Sequence, residues 1–258
     1  MSTPTTTPDP GPAPRRAAPA LRAFHRPGAP EASLLLVFPH AGSGASSYRG
    51  LSGRVSSRYE VAVMQYPGRQ DRGREPAATD LTALAAEAFA EYSARFAGRP
   101  VVVFGHSMGA IVGFEFTRLA RDAGAPVTML VASAATAPGK VVDLPRHPTD
   151  DDSLLAHLGV LQGTGGAVLG DAALMRMALP VLRADYAAFD TYTCPETVRV
   201  DVPIRVIGGA DDQVIAPYLL HGWSAHADDV TVTVVDGGHF HLDEHPETLA
   251  QILLGLTP

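Results

Sequence analysis

Val101-Val102-Val103-Phe104, followed at once by Gly105-His106-Ser107-Met108-Gly109-Ala110, restricts the fold of this chain more than any other stretch. The first four residues are apolar and mostly β-branched, and they read as a buried strand. Ala110-Ile111-Val112-Gly113-Phe114-Glu115-Phe116 reads as the opening of a helix. Between them lies a G-x-S-x-G turn. A strand, a tight turn and a helix in direct succession hold a serine on a sharp bend, its hydroxyl above the carboxyl end of a sheet. The small flanking residues let strand and helix approach closely behind it. Ser107 is therefore the candidate nucleophile. The bare pattern is weak, and its flanks are what make it specific.

The rest of the chain repeats strand and helix signals in alternation. Leu34 to Phe38, Val61 to Met64, Met129 to Ala132, Ile204 to Ile207 and Val230 to Val235 read as further strands. Helical stretches lie between several of them, such as Leu81 to Phe89. This alternation predicts an α/β fold, a mostly parallel sheet with helices on both faces. Residues 1–28 are Pro/Ala-rich and aperiodic, which predicts a disordered tail before a domain covering 29–258. From about 140 to 195 the rhythm breaks. Helical stretches around Asp152 to Leu158 and Asp171 to Tyr192, with Gly163-Thr164-Gly165-Gly166 between them, predict a helical insertion that serves as a lid.

The totals narrow the function. With 258 residues and 46% hydrophobic content, the chain can build one large core. A formal charge of -7 gives no basis for nucleic-acid binding, which needs a basic face. Cys194 is the single cysteine, so no intrachain disulfide forms, and a reducing cytoplasm is expected with the thiol in a structural place. No apolar run approaches the roughly 18 residues of a membrane helix. Arg15-Arg16 lacks a following apolar region, so an export signal is rejected.

A serine hydroxyl needs a base, and the base needs an orienting acid. On a sheet of this kind the order along the chain is serine, acid, histidine, each after a strand. His239, in Asp236-Gly237-Gly238-His239 after the last strand, is the candidate base. The acid is Asp212 or Asp211, both after Ile204 to Ile207; Asp212 is preferred because it stands three residues after Gly209 and just before Val214-Ile215. An oxyanion needs two donors, and the candidates are the backbone N–H of Met108 and of Ala41 in Pro39-His40-Ala41-Gly42-Ser43-Gly44. His40 and His106 shape the site without moving protons. His239-Phe240-His241-Leu242-Asp243-Glu244-His245 approaches a metal-hydrolase pattern, but it carries one residue too many and lacks downstream ligands. No metal and no cofactor are expected.

The chain resembles the stand-alone (type II) thioesterases of polyketide synthase and non-ribosomal peptide synthetase pathways. The resemblance is carried by Phe38 to Gly42, Tyr66-Pro67-Gly68-Arg69 with Arg72, Gly105 to Ala110, Leu179 to Tyr186, Trp223 and Gly237 to Phe240. An Asp211-Asp212 pair stands where that family commonly has Asp-Pro, so the choice of acid stays open. The resemblance implies an α/β-hydrolase fold and hydrolysis of aberrant or stalled acyl groups from the phosphopantetheine arm of an acyl or peptidyl carrier protein. A monomer in the cytoplasm is the default expectation. Leu154, Leu158, Met175, Met177 and Phe189 are candidate pocket residues, and Arg69, Arg72 and Arg74 a candidate docking patch. An esterase or a product-releasing thioesterase of the same fold is the alternative.

Overall fold

In a computed structural model, which describes residues 18–162 and 172–257 with the backbone alone for 162 and 172–177, each apolar run named above is a strand. The strands are β1 (Leu21–Arg22), β2 (Ser33–Phe38), β3 (Tyr59–Met64), β4 (Val101–His106), β5 (Val127–Ser133), β6 (Ile204–Gly209) and β7 (Val230–Val235). They form one sheet in the order β1-β3-β2-β4-β5-β6-β7. From β3 across to β7 all pairings are parallel.

Alternate residues of each central strand enter opposite layers. Leu34, Leu36 and Phe38 of β2 and Val101 and Val103 of β4 join one buried cluster; Leu35, Val37, Val102 and Phe104 join the other. The helices α2 (Leu81–Phe96) and α3 (Met108–Asp122) cover the first layer, and α1 (Arg49–Val55) and α6 (Pro246–Gly255) the second. Covering both faces is why these strands read as unbroken apolar runs rather than alternating ones. Each such side chain contributes about 1.5–3 kcal/mol when fully buried. No described helix is long and apolar enough to cross a membrane.

β1 lies inside the stretch that composition assigned to a disordered tail. Leu21 pairs antiparallel with Met64, and Ala20 and Leu21 are buried. Gln65 N–H donates to Ala20 O at 2.7 Å, and the Leu21 N–H donates to Glu91. Order therefore begins before residue 28. A two-residue pairing has no period to detect, and Pro/Ala-rich flanks concealed it. Residues 1–17 lie outside the described residues.

Between β5 and β6 the chain leaves the sheet through a 3₁₀ segment, Pro138–Asp143, then α4 (Asp151–Gln162) and α5 (Ala172–Asp190). The Gly163 to Gly166 turn falls outside the described residues. Leu154, Leu179, Leu182 and Tyr186 of these helices form a third buried cluster, separate from both sheet layers, with Ala41 packed against it. The insertion thus sits on the loop after β2, at the carboxyl edge of the sheet.

Candidate active site

Because β2, β4, β6 and β7 run parallel, their following loops meet at one edge. Ser107 follows β4 directly and is held at φ 54°, ψ −124°, a left-handed conformation rarely tolerated outside glycine. Its N–H donates to Ser133 O at 2.8 Å, tying the bend to β5. The flanking glycines are required by contact: a Cβ on Gly105 would stand 2.1 Å from Gly109 O, and one on Gly109 would stand 2.0 Å from Phe38 O. Backbone on backbone cannot yield as a side chain can. Gly109→Ala is expected to lower the unfolding free energy by about 4 kcal/mol or more, read from the urea midpoint.

His239 stands between Ser107 and Asp212. Its Nε2 is 3.0 Å from Ser107 Oγ, and its Nδ1 is 2.8 Å from Asp212 Oδ2. The other Asp212 oxygen accepts from Val214 N–H and Ile215 N–H, each at 2.9 Å. Burial alone would raise the Asp212 pKa, but the His239 contact and those two N–H groups outweigh it and hold the carboxyl below its ordinary value. Asp211, one residue earlier, is exposed. The loops after β6 and β7 are zipped together, with Ala210 N–H donating to Val235 O at 2.8 Å and Asp211 N–H to Gly237 O at 2.9 Å. That pairing sets Asp212 against His239.

Further imidazoles surround His239. His40 pairs its Nδ1 with Tyr48 Oη at 2.9 Å and packs its ring 4.9 Å from Phe240. Burial, with His239 and Arg69 adding, lowers its pKa to about 3. His106 is fully buried, and Ser133 Oγ bridges its Nδ1 (3.0 Å) to His241 Nε2 (3.1 Å). Burial drives His106 well below its usual range and His241 to about 4, His239 adding to both. These rings stay neutral beside His239. His239 and His241 thus have separate partners, and among the described residues no group of three or more His, Cys, Asp or Glu is arranged to hold a metal.

Met108 follows Ser107 directly, and Ala41 lies in the loop after β2, whose Phe38 O and Pro39 O stand against Gly109 of the serine bend. Among the described residues neither N–H has a protein acceptor, whereas His40 N–H and Gly42 N–H on each side of Ala41 are both taken.

The sequence matches the family model of the thioesterase domain over residues 34–256. The chain belongs to the thioesterase domain family. The chain is 40% identical over 226 residues to a probable cadicidin biosynthesis thioesterase of Streptomyces griseus, covering 87% of this chain and 62% of that one. It is also 40% identical over 221 residues to phenyloxazoline synthase MbtB of Mycobacterium tuberculosis, covering 85% of this chain but 16% of that protein. The chain therefore spans less than two thirds of the length of these relatives. Among solved structures, the type II thioesterase BorB from the borrelidin biosynthetic cluster aligns with a TM-score of 0.81 at 37% identity, covering 93% of this chain and 98% of that one. The fold is the α/β-hydrolase fold.

Two readings of the sequence change. Arg69 and Arg72 are no docking patch: both are buried, Arg69 paired with Asp185 and Arg72 with Glu75 and Glu87, leaving Arg74 alone exposed. Phe189 packs against the main sheet core rather than with the insertion's own cluster. Leu154 belongs to that cluster and Leu158 packs against it, and the Met175 and Met177 side chains lie outside the described residues. The Ser133 bridge and the Arg69–Asp185 pair had no sequence signal, since each joins residues over 25 positions apart.

Proposed function

We propose that this thioesterase hydrolyses acyl groups from the phosphopantetheine arm of a carrier protein through an acyl-Ser107 intermediate, removing aberrant or stalled chains in polyketide or non-ribosomal peptide assembly. The observation that carries the reading is the contact chain Ser107–His239–Asp212 beside two unoccupied backbone donors. Ser107 Oγ attacks the thioester carbonyl while His239 Nε2 takes its proton. Asp212 keeps the remaining proton on Nδ1 and supports the imidazolium. Met108 N–H and Ala41 N–H receive the developing oxyanion. The intermediate collapses with cleavage of the C–S bond, and His239 returns the proton to the departing thiol. Water, deprotonated by the same nitrogen, then attacks the acyl-enzyme and releases a free acid and the serine. A thiolate leaves readily, so these groups suffice.

The α4–α5 insertion acts as a lid over this site, and the pantetheine arm passes beneath it. The carrier protein brings the substrate, and the thioesterase works as a monomer in the cytoplasm. Release of acetate from an acetyl-phosphopantetheinyl carrier protein tests the reading. Ser107→Ala is expected to reduce the rate by about 10⁴-fold or more. Equal rates from the two proteins would remove the acyl-Ser107 intermediate, and no release beside Ser107-dependent cleavage of p-nitrophenyl esters would replace the reading with an esterase.

A further inference from the structure

Asp185, in lid helix α5, is 1% exposed and lies at the junction of three chain segments. Its Oδ2 accepts from Gly42 N–H at 2.7 Å and from Arg69 Nη1 at 2.6 Å; its Oδ1 accepts from Arg69 Nη2 at 2.6 Å. Arg69 Nη1 also donates to Ser43 O at 3.1 Å, and its Nε to Pro67 O at 3.3 Å. One carboxylate thus joins the lid, the loop after β2 and the loop after β3. Leu182, one turn earlier on α5, closes over the same place: a Cβ on Gly42 would meet its Cδ1 at 3.1 Å.

A buried ion pair is a poor source of net stability, because desolvation offsets the attraction. A guanidinium fork on a carboxylate is, however, a directional clamp. What it clamps here is the loop that carries Ala41. Around Ala41, Pro39 O accepts from Tyr66 Oη at 3.0 Å, His40 N–H donates to Tyr48 Oη at 3.3 Å, and Gly42 N–H and Ser43 O are held by Asp185 and Arg69. Gly42 has φ 75°, so the peptide that Asp185 holds is the one where the loop turns. His40 O, on the peptide that carries the Ala41 N–H, accepts from Ser43 N–H at 3.2 Å, so releasing Gly42 and Ser43 loosens that peptide as well.

We propose that Asp185 is a positioning residue for the oxyanion loop, its carboxylate fixing Gly42 and, through Arg69, Ser43, so that the Ala41 N–H is aimed at the reacting carbonyl only while helix α5 is seated. This rests on the reading of Ala41 and Met108 as oxyanion donors. Lid and oxyanion loop are then one assembly, and the α5 end at Asp185 is its fixed end.

Asp185→Asn keeps the shape but sets an amide NH₂ against donors. With p-nitrophenyl acetate as substrate and rates normalised to active sites titrated with a fluorophosphonate, kcat is expected to fall about 10–100-fold with KM within about twofold. Affinity for an aryl trifluoromethyl ketone, which forms a tetrahedral adduct on the serine, is expected to fall by the same factor. Arg69→Lys, which keeps the charge but loses the fork, is expected to show a smaller loss of the same kind and serves if Asp185→Asn folds poorly. Unchanged kcat per titrated site and unchanged ketone affinity, with only a lowered Tm, would overturn the proposal. Because this ester needs only the Ser107–His239–Asp212 chain and its oxyanion donors, the effect is read whether or not carrier thioesters are the substrate. Wild-type turnover of the carrier thioester tests that separate point.

Discussion

Asp212→Asn is expected to lower kcat for thioester hydrolysis by about 10⁴-fold while leaving the fold intact, the size of effect seen when the acid of such a triad is neutralised. The direction follows from the contacts of the carboxylate. Asp212 Oδ1 accepts from Val214 and Ile215 N–H, and a replacement must present an oxygen there. Asparagine can do so only by turning its NH₂ group toward His239 Nδ1. That nitrogen must then accept, so the ring proton moves to Nε2, the atom 3.0 Å from Ser107 Oγ. An Nε2 that carries a proton cannot take another from serine. The variant is expected to recover rate as pH rises, since hydroxide or serine alkoxide then substitutes for the base. A pH–rate profile of wild type against Asp212→Asn checks this. A loss of less than tenfold at neutral pH would mean that Asp212 orients nothing of consequence.

The second large effect is thermodynamic and appears on acidification. His40 and His241 have folded pKa values of about 3 and about 4 against 6.5 for a free imidazole. The groups facing them are His239 and Arg69 for His40, and His239, Asp212 and His245 for His241. The folded state holds both rings neutral, so the unfolded chain binds more protons below pH 6.5. Their contribution to stability is complete above that pH and is lost progressively as pH falls toward the folded values. At pH 5 the loss is about 2 kcal/mol for each ring. Together they are expected to lower Tm by about 8–16 °C between pH 7.5 and pH 5. Calorimetry at the two pH values measures it, and His241→Gln should lessen the drop by about 4–8 °C, the share of its own ring, since His106 is held neutral by burial as well and adds in the same direction. A Tm unchanged over that interval would mean that these rings are already protonated when folded.

Much of the site was legible because it is local. Val101 to Phe104, the G-x-S-x-G turn and the start of α3 are contiguous, and their pattern leaves a single arrangement. The Asp211 and Asp212 alternatives differ by one residue, and spacing favoured the one that lies 2.8 Å from His239. What was not legible depends on pairing across the chain. Arg69 sits in a Pro/Gly loop whose composition reads as solvated, yet its partner Asp185 is 116 positions away and takes it inside. His106 and His241 looked like separate bystanders until Ser133 joined them. Leu21–Arg22 is too short for any period. Long-range charge and hydrogen-bond partners have no repeat to detect, so only the folded chain reveals them.

The insertion's buried cluster of Leu154, Leu179, Leu182 and Tyr186 is not continuous with either layer of the sheet. Its side chains can therefore be exchanged without opening a void behind β2 or β4, where lost packing would cost the whole domain its stability. A substitution in α4 or α5 is therefore felt within the insertion and not in the sheet, except where it reaches Leu182 and the Gly42 loop beneath it.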